Sequence, residues 1–156
     1  SKLFELFDRL QKRHGFTYIF ISHDMALVRK VCHRVAVMYL GRIVEFADNN
    51  ALFSNPVHPY SRALLSAVPT LDEHPFSSDE YLLEGEPPSP VHIPAGCSFR
   101  SRCPLAIDIC KTVDPQVHVL PDGGQAACHL ADPKFISGRV SALSSARGDH
   151  YEQPSS

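Results

Sequence analysis

Thr17-Tyr18-Ile19-Phe20-Ile21-Ser22-His23-Asp24, then Met25-Ala26-Leu27-Val28, then Arg34-Val35-Ala36-Val37-Met38-Tyr39-Leu40-Gly41-Arg42-Ile43-Val44-Glu45, is the stretch that decides the fold class of this chain. The run from Thr17 to Ser22 is short, unbroken and rich in strand formers, the pattern of a strand covered on both faces in a parallel sheet. Ser22-His23-Asp24 ends it, and Met25 to Cys32 reads as a short helix. Arg34 to Leu40 is a second buried strand, Gly41-Arg42 a tight turn, and Ile43 to Ala47 the returning partner of a hairpin. Upstream, Leu3, Phe4, Leu6, Phe7 and Leu10 recur at helical spacing between Lys2 and His14, with Gly15 as the stop. Helix, strand, helix and hairpin together predict the end of an α/β domain, too small to complete a sheet alone.

Beyond the hairpin the chain changes character. Asn49 to Ser54 predicts one or two helical turns, stopped by Asn55-Pro56. His58-Pro59-Tyr60 opens a second helix with Pro59 at its first position, where a missing N–H costs nothing. Ala63, Leu64, Leu65, Ala67 and Val68 give that helix its apolar stripe, and Pro69 ends it. Residues 71–96 are polar and proline-rich, with Glu84-Gly85-Glu86-Pro87-Pro88-Ser89-Pro90 at their centre, and read as an extended connector. Residues 134–156 are Ser-rich and polar, a tail expected to be disordered. The expected divisions are thus 1–48, 49–70, 71–96, a cysteine module over 97–133, and the tail.

Composition narrows the function classes. A net charge of -2 with both signs interspersed offers neither a nucleic-acid footprint nor a basic membrane patch. The longest apolar run, Val35 to Leu40, is far too short to span a bilayer. No signal peptide is visible, because the N-terminus is charged and amphipathic. The chain starts with Ser1 inside a helical pattern, so it is expected to be a fragment.

Two places suggest chemistry. His23 stands at the C-terminal end of the first expected strand, where open α/β sheets place ligands; the plainer reading is a loop histidine satisfied by its neighbours. The second place holds Cys97, Cys103, Cys110 and Cys128, spaced C-x5-C-x6-C-x17-C within 32 residues. This stretch has too little apolar material to offset the entropy of ordering its backbone, so something else must pin it. A metal, an iron–sulfur cluster or two disulfides would each do so. The intervals lack the close C-x2-C pairs of common zinc sites and bacterial ferredoxins. Spacing alone leaves metal, disulfide and reduced thiols all open. Cys32, in the helix after His23, reads as an apolar thiol in the core.

Taken in order, these segments resemble the end of an ABC transporter ATPase domain with the C-terminal extension of the peptide importers. The resemblance rests on Tyr18 to Val28, Arg34 to Glu45, Asn55-Pro56-Val57-His58-Pro59-Tyr60 with Arg62-Ala63-Leu64-Leu65, Gly85 to Pro90, Gly96-Cys97, Arg102-Cys103-Pro104, Cys110 and Cys128-His129-Leu130. It implies the ATP-hydrolysing subunit of an oligopeptide, dipeptide or nickel uptake system, using ATP and Mg2+ at the cytoplasmic face of the membrane. It also implies a second ATPase subunit, transmembrane permease subunits and, indirectly, a peptide-binding protein as partners, with no nucleic acid. On this resemblance His23 matches the switch histidine that contacts the γ-phosphate and the attacking water, and Asp24 the acid that follows it. Cys97, Cys103, Cys110 and Cys128 match the four ligands of a [4Fe–4S] cluster in some members. A cytoplasmic setting disfavours structural disulfides and moves the reading toward the cluster. His58-Pro59-Tyr60 is read as structural. No G-x-x-x-x-G-K-[S/T] phosphate loop occurs in these residues. That loop, the signature segment and the catalytic Glu are expected before Ser1, and without them the piece is not itself an ATPase. A standalone zinc or iron–sulfur interaction module without ATPase activity is the alternative from a different class.

Overall fold

A computed structural model describes residues 2–68, 88–89, 93 and 95–135. Pro69, most of the expected connector and nearly all of the tail lie outside the described residues. Helix α1 spans Lys2–His14 and closes on Gly15, whose φ of 67° lets its N–H reach the Gln11 carbonyl at 2.8 Å. Helix α2 spans Met25–Val31, β1 Arg34–Tyr39, β2 Arg42–Asp48, α3 Asn49–Ser54 and α4 Pro59–Ser66. Strands β3 (Val117–Val119) and β4 (Gln125–Ala127) follow, with 3-10 turns at Arg100–Arg102, Asp108–Lys111 and His129–Ala131.

The stretch 17–21 differs from its expectation. It carries no strand ladder and is covered on one side only. Tyr18 and Phe20 turn toward α1, meeting Phe7 at 5.4 Å and Phe4 at 6.0 Å between ring centroids. Ile19 and Ile21 are 91% and 93% exposed. The side chains thus alternate as a strand's do, but a strand is completed by a neighbour's N–H and C=O groups. Among the described residues no strand runs beside this one.

The hairpin forms as the sequence suggests, with its turn one residue earlier than expected. Leu40 and Gly41 are the central residues, at φ 46° and 77°. Two positive φ values match the twist of the flanking strands, and glycine takes the second at no steric cost. Val37 pairs with Glu45 while Met38 pairs with Ile43, so Val44 is an extra residue on β2. This bulge turns both Val44 and Glu45 inward, breaking the alternation of a regular strand.

The described sheet joins the hairpin to the cysteine segment and leaves out the stretch 17–21, for which parallel neighbours were expected. Its order is β1-β2-β4-β3 and every pairing is antiparallel. Glu45 pairs with Ala126 and Phe46 with Gln125, so the cysteine-bearing segment adds its two strands to the edge of the hairpin. One core serves both: Val35, Val37, Tyr39, Val44, Leu52, Phe53 and Leu65 are buried together with Cys97, Phe99 and Cys110. No helix among the described residues is long and apolar enough to cross a membrane.

Candidate functional site

His23 is exposed, and its local geometry is that of a helix entrance. Asp24 occupies the N-cap of α2 and accepts the Leu27 N–H at 3.0 Å, while the Ser22 hydroxyl accepts the Asp24 N–H at 3.0 Å. The Ser-His-Asp tripeptide is therefore a capping turn whose middle side chain points into solvent. His23 takes no part in the buried core that holds the cysteines.

The far end of α2 is closed by a residue whose role is not visible in the sequence. Buried Asn49 directs its amide nitrogen at the carbonyls of Val28, Arg29 and Cys32, of which Val28's also accepts the Cys32 N–H and the other two are acceptors that a helix C-terminus leaves open. Cys32 packs against the core, and burial raises its thiol pKa.

Glu45 anchors the turn into α4. Its carboxylate, 1% exposed, accepts the Val57 N–H at 2.8 Å and the His58 N–H at 2.9 Å. Burial raises the Glu45 carboxyl above its ordinary range. The Ser61 hydroxyl beside it, the two N–H groups and the Arg62 charge hold that rise back. The Ser61 hydroxyl is buried without a well-formed hydrogen bond among the described residues, so its effect on Glu45 comes from proximity. His58 is the N-cap of α4, and its Nδ1 accepts the Tyr60 N–H at 3.0 Å. Burial pushes the His58 imidazole down to about 4, so it is neutral near pH 7.

An aromatic group sits on this turn. Phe99, 1% exposed, meets Tyr39 edge-on at 5.2 Å, Tyr60 at 5.4 Å and His58 at 5.7 Å, while Tyr39 and Tyr60 lie 4.8 Å apart. Phe99 comes from the cysteine segment, Tyr39 from β1, and His58 and Tyr60 from the start of α4. An exposed Arg42–Asp114 ion pair joins the same segments outside the core.

Cys97, Cys110 and Cys128 are buried and Cys103 is half-buried; all five cysteines of the chain are unpaired. The Cys97 N–H donates to the Cys110 carbonyl at 2.9 Å. Gly96, at φ 76°, makes that approach possible: a Cβ there would lie 2.4 Å from the Cys110 carbonyl oxygen. His129, buried next to Cys128, donates from Nε2 to the Val113 carbonyl at 2.9 Å and steadies the last cysteine turn.

The four thiols share one neighbourhood. Burial, and then the charges of its fellow cysteines, push Cys103 up to about 12 and Cys128 up to about 11. Cys97 is raised by burial first, with Cys110 adding to it. Nearby backbone N–H groups hold these shifts back: those of Phe99 and Arg100 for Cys97, Leu105 for Cys103, and Leu130 and Ala131 for Cys128, although the Arg100 and Ala131 N–H groups themselves donate to the Cys97 and Cys128 carbonyls at 3.2 and 3.0 Å. Such donors favour a thiolate, which is the form that binds metal. Among the described residues, however, no metal site forms where the sequence set the [4Fe–4S] ligands Cys97, Cys103, Cys110 and Cys128. Among the described residues no three His, Cys, Asp or Glu side chains gather closely enough to hold a metal ion. One tetrahedral zinc with bonds of about 2.3 Å would draw its sulfurs to roughly 3.8 Å from one another.

Comparison with known proteins places these features. Residues 44–110 match the family described as the oligopeptide/dipeptide transporter, C-terminal region. The chain is 50% identical over 133 residues to a probable peptide ABC transporter ATP-binding protein of Sinorhizobium fredii, covering 85% of this chain and 37% of that protein. It is 47% identical over 128 residues to a putative peptide import ATP-binding protein of Brucella ovis, covering 82% of this chain and 40% of that one. It is 43% identical over 131 residues to a putative oligopeptide transport ATP-binding protein of Bacillus subtilis, covering 83% and 40%. The chain spans about two fifths of the length of these relatives.

Proposed function

With residues 44–110 matching the family described as the oligopeptide/dipeptide transporter, C-terminal region, we propose that the whole protein is an ATP-hydrolysing subunit that energises peptide import. The observation that carries this reading is the 50% identity, over most of the chain, to a protein named as a peptide ABC transporter ATP-binding protein. On this reading residues 1–48 end the ATPase domain, and the rest, through the cysteine segment, forms its C-terminal extension. The protein works with ATP and Mg2+ as one of a pair of such subunits, at the cytoplasmic face of permease subunits that receive peptide from a binding protein.

His23 is the chain's proposed contact with the reaction. An exposed imidazole held on a capped, ordered turn can meet a nucleotide at an interface without leaving a hydrogen bond behind. There it donates to the transferring phosphoryl group and orients the attacking water, stabilising charge as it develops. The four cysteines are proposed to hold an iron–sulfur cluster. What supports this is that the four thiols share one neighbourhood, with Cys97, Cys110 and Cys128 buried in it. When bound, the cluster supplies positive charge that offsets the repulsion among four thiolates and staples a segment poor in apolar residues.

The test is His23→Ala in the complete subunit. ATP turnover should fall by about 10²- to 10³-fold with ATP binding retained. Near-normal turnover would remove His23 from the reaction.

A further inference from the structure

Helix α2 is too short to hold itself. Its seven residues, about 10 Å in length, fall well below what an isolated helix needs, so it must be held from outside. Val28 is its one buried residue, and Met25 packs part-buried against the same core. These two side chains set how deep the helix sits and leave its tilt loosely determined. The tilt is set from α3. Asn49 faces the carbonyls of Val28, Arg29 and Cys32 with its amide nitrogen, and its own N–H donates to the His33 carbonyl at 2.9 Å. One turn on, the Phe53 ring carries the Arg29 guanidinium 5.6 Å from its centroid. At the other end, Ser22 and Asp24 close the entrance of α2, with exposed His23 between them.

We infer that Asn49 is a positioning residue for His23, acting through α2, so that the first turn of α3 sets where the His23 imidazole stands. The inference rests on the reading that His23 meets the transferring phosphoryl group. The lever is stiff: the Val28 N–H bonds to the Asp24 carbonyl and the Cys32 N–H to the Val28 carbonyl, each at 3.0 Å. Without the Asn49 clamp, α2 pivots on Val28. A pivot of about 10° there carries His23, roughly 7 Å along the axis, by about 1 Å. Misplacement by about 1 Å can cost about a hundredfold in rate. ATP itself stays bound, because the imidazole acts on charge that develops only in the transition state.

The experiment measures kcat and the KM for ATP in the complete subunit, for the parent, Asn49→Ala, His23→Ala and the double variant. Rates are taken per nucleotide site, counted by ATP binding, so that an unfolded fraction does not register as a slow enzyme. Asn49→Ala should lower kcat by about ten- to a hundredfold and leave KM within about twofold. In the His23→Ala background the same change should cost less than about twofold, because the group it places is already gone. Should Asn49→Ala fail to fold, Asn49→Ser keeps a single donor for the α2 carbonyls. Its kcat should then fall severalfold, and that loss too should vanish without His23. Parent-like turnover in whichever Asn49 variant folds, with His23→Ala inactive, would overturn the positioning role alone. An equal loss with and without His23 would also overturn it, since Asn49 would then act by another route. Near-normal turnover of His23→Ala would overturn the reading of His23 and the positioning role with it.

Discussion

Glu45 Oε2 accepts the backbone N–H of His58 at 2.9 Å, tying the bulged strand β2 to the start of α4 across thirteen positions of sequence. The partner oxygen takes Val57 in the same way. Glu45→Ala leaves two buried N–H groups without acceptors, each costing about 1–3 kcal/mol. Removing a carboxylate that burial disfavours returns part of that cost. The net expectation is a loss of about 2 kcal/mol, read as a lower urea midpoint at unchanged m-value. Glu45→Gln keeps one good acceptor and should fall between the two. A Glu45→Ala protein as stable as the parent would show that the turn does not depend on the carboxylate.

His58 sets a pH dependence whose sign is fixed. Its folded-state pKa lies near 4, below the ordinary value of 6.5, so the unfolded chain binds more protons at this site between those values. The stability it contributes is complete above pH 6.5 and is lost as pH falls toward 4. The full loss is about 3 kcal/mol from a shift of this size. Glu45 runs the other way: a carboxyl raised by burial costs stability as pH rises above its ordinary range. His58→Asn keeps an N-cap acceptor and removes the titration. Stability curves of the two proteins should diverge below pH 6.5 and run parallel above it; parallel curves throughout would count against a buried neutral His58.

Gly96 is where the cysteine loop closes on itself. Gly96→Ala pays the left-handed backbone penalty of roughly 1–2 kcal/mol, and its Cβ would meet the Cys110 carbonyl at 2.4 Å. The Cys97–Cys110 backbone contact should open, and both thiols should react faster with a thiol reagent than in the parent. Unchanged reactivity at both positions would contradict the closed geometry.

Asn49 closes α2 with one amide and three carbonyls. Asn49→Ala should cost about 1–3 kcal/mol for stranding the Arg29 and Cys32 carbonyls, while that of Val28 keeps the Cys32 N–H. Asn49→Asp should cost more than alanine, because a carboxylate would face carbonyl oxygens. A denaturant series that ranks aspartate above alanine would refute the amide's role as donor.

Much of the local structure was legible in the residues themselves. Pro59 at the first position of α4, Asn55-Pro56 after α3 and Gly41 in the hairpin are chain-local signals, and all three elements formed where those signals stand. The stretch 17–21 misled because an unbroken apolar run states that cover exists without stating what supplies it. The β2–β4 ladder was illegible for another reason: Glu45 and Ala126 are paired across a separation that no local pattern reports. Glu45 reads as an outward residue of an alternating strand, and only the bulge at Val44 turns it inward. At the candidate site the four cysteines were visible as a group, whereas Phe99, which seats them on the hairpin, looks in sequence like any aromatic between two loop cysteines.

Iron and acid-labile sulfide content of the anaerobically purified chain, with its absorption near 400 nm, tests most directly whether Cys97, Cys103, Cys110 and Cys128 hold one centre. The expected result is a brown protein with about four irons and four sulfides per chain, lost when any one of the four cysteines is replaced by serine. A colourless, iron-free protein from the same preparation would contradict it.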